Sequence, residues 1–105
     1  MKLRQLAHAR AGDKGNTSNI SLIVHDARDY ERVEQFVTAE RVKRHFGAIV
    51  TGAVVRYDLP ALGALNFVLD GALAGGVTRS LVLDAHGKSL SSLLLDLEIE
   101  GEAGA

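Results

Sequence analysis

The sequence predicts an α+β fold, with one layer of helices packed on one face of a mostly antiparallel sheet. Three observations carry that expectation. Stretches with period-two apolar alternation and stretches with helical apolar spacing follow one another in the order β, β, α, β, an ambiguous piece, β, α and a short closing β. Each helical stretch is apolar along one stripe only, so it must lie on another layer. The chain has 105 residues, of which 47% are hydrophobic, which is enough for one core and one domain spanning residues 1–105.

The elements follow from the spacing. Residues 3–10 read as a strand, with Leu6, His8 and Arg10 on one face. Residues 11–17 read as a polar loop with two glycines, and residues 19–25 as a second strand with Ile20, Leu22 and Val24 on one face and Ile23 on the other. Asp26 suits a helix N-cap, and Asp29 stands three residues on, where a capping box takes an acid. Tyr30, Val33 and Val37 share a helical face; Thr38 suits the cap of a second segment carrying Val42 and Phe46, and Gly47 its end. Residues 53–59 alternate Val55, Tyr57 and Leu59 against Val54, Arg56 and Asp58, and Pro60 stops that strand. Residues 61–73 fit a helix through Leu65, Val68, Leu69, Ala72 and Leu73, although 66–69 alone would fit a short strand. Gly75-Gly76 marks a break, 78–84 a strand and 85–88 a turn. Leu90, Leu93, Leu94 and Leu97 have amphipathic helix spacing, 97–100 could finish as an edge strand, and the tail 101–105 is expected to fray.

Composition excludes several kinds of function. Twelve Lys and Arg against 13 Asp and Glu leave a formal charge of −1, without the basic excess of a nucleic-acid module. The absence of cysteine removes disulfide scaffolding, thiol catalysis and thiolate metal sites. The first residues lack the apolar core of a signal peptide, and no run approaches the roughly 18 apolar residues of a membrane span. A cytoplasmic location with no membrane partner is the expectation.

Gly12-Asp13-Lys14-Gly15-Asn16 is the most chemically loaded stretch. Two glycines can turn backbone N–H groups toward an anion, and Lys14 adds a mobile charge. The spacing is neither a Walker A loop nor a dinucleotide-binding glycine pattern, and an ordinary solvated strand connection is the plainer reading. His8 and Arg10 share a face beside it. His8 could serve there as a base or hydrogen-bond donor, or simply pack at a strand end. Asn66, set in an apolar stretch, could clamp a backbone carbonyl or hold a ligand. Arg79, after Gly75-Gly76, could serve a second anion cradle or merely follow a glycine turn. His25, His45 and His86 are scattered without metal-ligand spacing, and the placing of Asp13, Asp58 and Asp84 asks for no Mg²⁺, so neither metal nor cofactor is expected. The Leu90–Leu97 stripe is core or a subunit interface. If one small sheet cannot cover it, the chain should form a homo-oligomer.

Three blocks together resemble a known family. His8-Ala9-Arg10-Ala11-Gly12-Asp13-Lys14-Gly15-Asn16 is similar to its HARSGDKG-D/N opening. Leu59-Pro60-Ala61-Leu62-Gly63-Ala64-Leu65-Asn66-Phe67 is similar to a second block, and Gly75-Gly76-Val77-Thr78-Arg79-Ser80-Leu81 with Asp84, Gly87 and Lys88 to a third. The family is the ferredoxin-like domain found at the C-terminus of AtuA-type (acyclic terpene utilisation) proteins. The resemblance implies a ferredoxin-like two-layer sandwich and a context of catabolism of branched or terpenoid acyl and acyl-CoA compounds. Asn16 stands where relatives often carry Asp, and the large domain that usually comes first is expected to be encoded separately. The resemblance therefore implies a small accessory chain working with a separately encoded large AtuA-type subunit. Joined to the residue reading above, it makes Arg10, Gly12, Asp13, Lys14, Gly15, Asn16, Asn66 and Arg79 the expected site for an anionic acyl or acyl-CoA ligand, with His8 as a candidate catalytic group. A stand-alone ligand-binding or assembly module is the alternative.

Overall fold

The computed structural model describes residues 1–14, 17–47, 50–71 and 90–99. Strands β1 (Ala7–Lys14), β2 (Thr17–Val24), β3 (Val54–Leu59) and β4 (Ala64–Asp70) form one antiparallel sheet in the order β1-β2-β4-β3. Helices α1 (Tyr30–Phe36) and α2 (Ala39–Phe46) connect β2 to β3, and α3 (Leu90–Leu94) follows β4. Strands β2 and β3 run parallel with β4 inserted between them, which is the split βαβ arrangement of ferredoxin-like folds. The N-terminal strand β1 fills the edge beside β2.

The expected layering is present. Ile20, Leu22 and Val24 of β2 and Leu65, Phe67 and Leu69 of β4 meet Val33, Val37, Val42 and Phe46 from the first two helices and Leu90 and Leu94 from the third. Full burial of each of these side chains is worth roughly 1.5–3 kcal/mol, which makes this layer the main source of stability. Thr38 caps α2 by accepting a hydrogen bond from the Arg41 amide at 3.1 Å, and Gly47 ends it at φ +55°. Asp26 accepts from the Arg28 amide at 2.9 Å and opens the 3-10 turn Ala27–Asp29.

Several local expectations are corrected. Residues 3–5 form a 3-10 turn instead of the start of a strand, because the Leu3 and Arg4 amides bond to the Leu97 and Leu95 carbonyls at 2.8 and 3.1 Å. Strand β1 therefore begins at Ala7 and continues through Lys14, so that Gly12, Asp13 and Lys14 pair with Asn19, Ser18 and Thr17 in a ladder and not in a loop. Asp29 makes no side-chain cap at α1. In the ambiguous segment the strand reading holds: Ala64–Asp70 pairs on both sides. The leucine stripe is covered by its own sheet, with Leu90, Leu94, Leu97 and Ile99 buried and Leu93 and Leu95 half-buried. The stripe therefore belongs to the core, one of the two roles expected for it. Residues 97–99 return to the N-terminus through a single antiparallel bridge between Lys2 and Glu98. The expected strand 78–84, turn 85–88 and tail 101–105 lie outside the described residues.

Candidate functional site

The antiparallel register divides every strand into two faces. One face of the sheet carries the core, and none of the described helices packs on the other. That open face is built in rows. His8, Ile23, Ala64 and Leu59 form one row, Arg10, Ser21, Asn66 and Tyr57 the next, and Gly12, Asn19, Val68 and Val55 a third. The fold thus brings His8, Arg10 and Asn66 onto one surface from two strands that are far apart in sequence.

The middle row is polar. Asn66 Nδ2 donates to Ser21 Oγ at 3.0 Å, which leaves its carbonyl oxygen available to a ligand. Arg10 is exposed and has no ion-pair partner among the described residues. Tyr57 is 55% exposed at the far end of the row, roughly 14 Å from Arg10 by three strand spacings. His8 stacks on His25 with ring centroids 5.6 Å apart, and His25 Nε2 lies 3.3 Å from the Arg4 carbonyl, which fixes the pair at the sheet end. On β3 Val55 is 43% and Leu59 38% exposed, and Leu62 in the following 3-10 turn 70%. These exposed apolar side chains lie along the β3 edge and the turn after it, at the opposite end of the rows from His8 and Arg10.

The inverted polarity of β3 explains that exposure. Arg56 and Asp58 face the helices while Val55, Tyr57 and Leu59 face outward. Arg56 Nη1 donates to the Glu34 and Val37 carbonyls at 2.6 and 3.1 Å, at the end of α1, and Arg56 Nε pairs with Asp58 Oδ1 at 2.7 Å. A shared hydrogen bond with Asp58, together with burial and the Asp58 charge, holds the Glu34 carboxyl above its ordinary range. Burial, with the Glu34 and Asp58 charges, raises the Tyr30 phenol beside them.

Gly12 lies on the open face, where an added Cβ would meet nothing within 4 Å; the fold itself does not demand glycine there, and its absence of a side chain leaves room above the strand. Gly15, Asn16 and Arg79 lie outside the described residues. Among the described residues no three potential ligands are grouped to hold a metal ion, and no helix is long and apolar enough to cross a membrane. The sequence reading passed over Ser21, Asn19 and Tyr57. Alternation placed them on faces without saying which face was open, and the inward charges of β3 were the available signal.

A split βαβ sheet with helices on one side and an open face on the other defines a ferredoxin-like domain. The family model of the AtuA ferredoxin-like domain matches residues 1–100. The chain belongs to that family. Comparison with the curated proteins and with the solved structures found no match.

Proposed function

We propose that the chain serves as a small accessory subunit, laying its open sheet face against a large AtuA-type partner and completing there a site for an anionic acyl or acyl-CoA compound. The observation that carries this reading is the open face itself: an exposed Arg10 without an ion-pair partner among the described residues, beside the Ser21–Asn66 pair, with Val55, Tyr57, Leu59 and Leu62 exposed along its β3 side. Arg10 and Lys14 hold the anion, Asn66 accepts from it or from the partner, and His8 serves as the candidate proton-transfer group. A surface this small gives little enclosure to a ligand, so a second wall from a partner is needed to exclude water.

The test is co-expression with the separately encoded large subunit. The two chains should co-elute at micromolar concentration, and activity on an acyl or acyl-CoA substrate should require both. Tyr57→Asp should abolish co-elution while leaving the melting temperature within a few degrees. Separate elution of the wild-type chains, with no effect of one on the other, overturns the reading.

A further inference from the structure

The helix layer carries a second feature, remote from the open face. Arg41, Arg44 and His45 stand at i, i+3 and i+4 on α2 and so share one side of it. Together with Leu97 they line a cleft of about 370 Å³. The low end of the range for small-ligand pockets is roughly 300 Å³, so the cleft admits a small molecule as well as a bare ion.

Two of the three basic groups are already held in place. The Arg41 guanidinium lies over the Phe36 ring, 5.7 Å from its centroid, a cation–π contact that holds the group in place and uses none of its N–H donors. His45 Nε2 lies 2.7 Å from the Leu93 carbonyl, and because a carbonyl only accepts, Nε2 carries the proton. The ring is therefore oriented, with Nδ1 left as an acceptor for a donor group of a ligand. Arg44 has no carboxylate partner among the described residues. The one acid of α2, Glu40, lines the neighbouring cleft with Lys43, Arg44 and Gly47.

Cations in a last turn also complement the helix dipole, and that effect alone is worth only about 0.3–1 kcal/mol at an exposed site. It accounts for charge at a helix end, but not for two guanidinium groups converging on one cleft with one of them held over the Phe36 ring. The carbonyl end of α2 opposes an anion placed on its axis. Helical side chains lean back toward the N-terminus, which carries the guanidinium groups away from that end.

We infer that the cleft between α2 and Leu97 is a binding site for a phosphorylated small molecule, with Arg41 and Arg44 gripping a diphosphate and Leu97 supplying an apolar wall. Two arginine forks match the geometry of phosphate oxygens better than a general positive field does. The site lies on the helix layer, and its test is independent of the open face.

Binding of inorganic pyrophosphate and of ADP to the purified chain is measured by calorimetry in low salt. Wild type should bind both, and Arg41→Gln and Arg44→Gln should each weaken binding at least tenfold. Arg44→Lys keeps the charge but loses the fork, and it should weaken pyrophosphate binding nearly as much. Arg28→Gln, which removes an exposed cation that does not line the cleft, should bind like wild type. ADP binding tighter than pyrophosphate assigns the apolar wall to the remainder of the ligand, and equal binding makes the diphosphate itself the ligand. No binding by wild type, full binding by Arg44→Lys, or loss confined to Arg28→Gln overturns the inference. Circular dichroism on each variant confirms that α2 remains folded.

Discussion

Arg56 shows how one side chain can set the orientation of a strand. Its guanidinium reaches two carbonyls at the end of α1 and the Asp58 carboxylate, closing helix ends that would otherwise need water. Hydrogen bonds to a charged donor are worth roughly 1.5–3 kcal/mol, so Arg56→Ala should lower the unfolding free energy by about that amount in urea titrations. Arg56→Lys, with a point charge in place of a fork, should recover only part of it. The adjacent Glu34 makes stability depend on pH. Its carboxyl binds its proton more tightly in the folded chain than in the unfolded one. The folded state therefore holds more protons above Glu34's ordinary value of 4.5, and its contribution to stability falls as pH rises through the elevated value. Glu34→Gln cannot ionise. Its melting temperature should match wild type near pH 4 and exceed it near pH 7, and parallel curves would refute the sign. Asp26 acts in the opposite sense: its hydrogen bond from Arg28 lowers it from 3.8 to about 2, so its contribution is present above 3.8 and lost as pH falls toward 2. Screening at this exposed site keeps that effect small.

At the scale of elements, the helix stripe and the strand β3 exchange the roles their sequences suggest. The leucines of α3 fill the core, and the outward set of β3 is the apolar surface left over. Leu94→Ala should therefore cost about 2–5 kcal/mol of stability, as buried leucine truncations do, without altering the oligomeric state in light scattering. A change of mass with little loss of stability would return the stripe to the surface. The turn before β3 is fixed by close backbone approach. A Cβ at Gly52 would fall 2.7 Å from the Asp70 carbonyl oxygen, and the Gly52 amide donates to that same oxygen at 2.9 Å. Gly52→Ala must displace backbone and should cost about 1–3 kcal/mol by chemical denaturation.

Across the whole molecule, the sheet edge and the sheet face differ in what they offer a partner. The β3 edge carries Arg56 and Asp58 pointing inward, a feature that discourages pairing with another strand. The open face carries no such charge on β3. Val55→Asp should leave thermal stability nearly unchanged, since surface substitutions usually fall within about 0.5 kcal/mol, while lowering retention of the proposed large subunit on an affinity column. A loss of stability of several kcal/mol would show that Val55 is part of the core. Unfolding with and without EDTA should coincide, because the sequence has no cysteine and no histidine pair at metal-ligand spacing.

The sequence by itself determined the order of most elements, the caps at Asp26 and Thr38, the alternation of β2 and β3, and the family, whose blocks sit at His8–Asn16, Leu59–Phe67 and Gly75–Lys88. These depend on local backbone chemistry or on side-chain periods, which are written along the chain. Of the candidate site, His8, Arg10 and Asn66 were legible as residues, but their shared surface was not. Only the tertiary structure decided that Ser21 lies between Arg10 and Asn66, because registry between β1, β2 and β4 is a non-local pairing. It also decided that Gly12-Asp13-Lys14 continue a strand, since cross-strand partners overrode the weak strand preference of glycine, aspartate and lysine. The inward face of β3 was settled in the same way. Alternation gives two equivalent sets, and the carbonyls at the end of α1 selected the one holding Arg56.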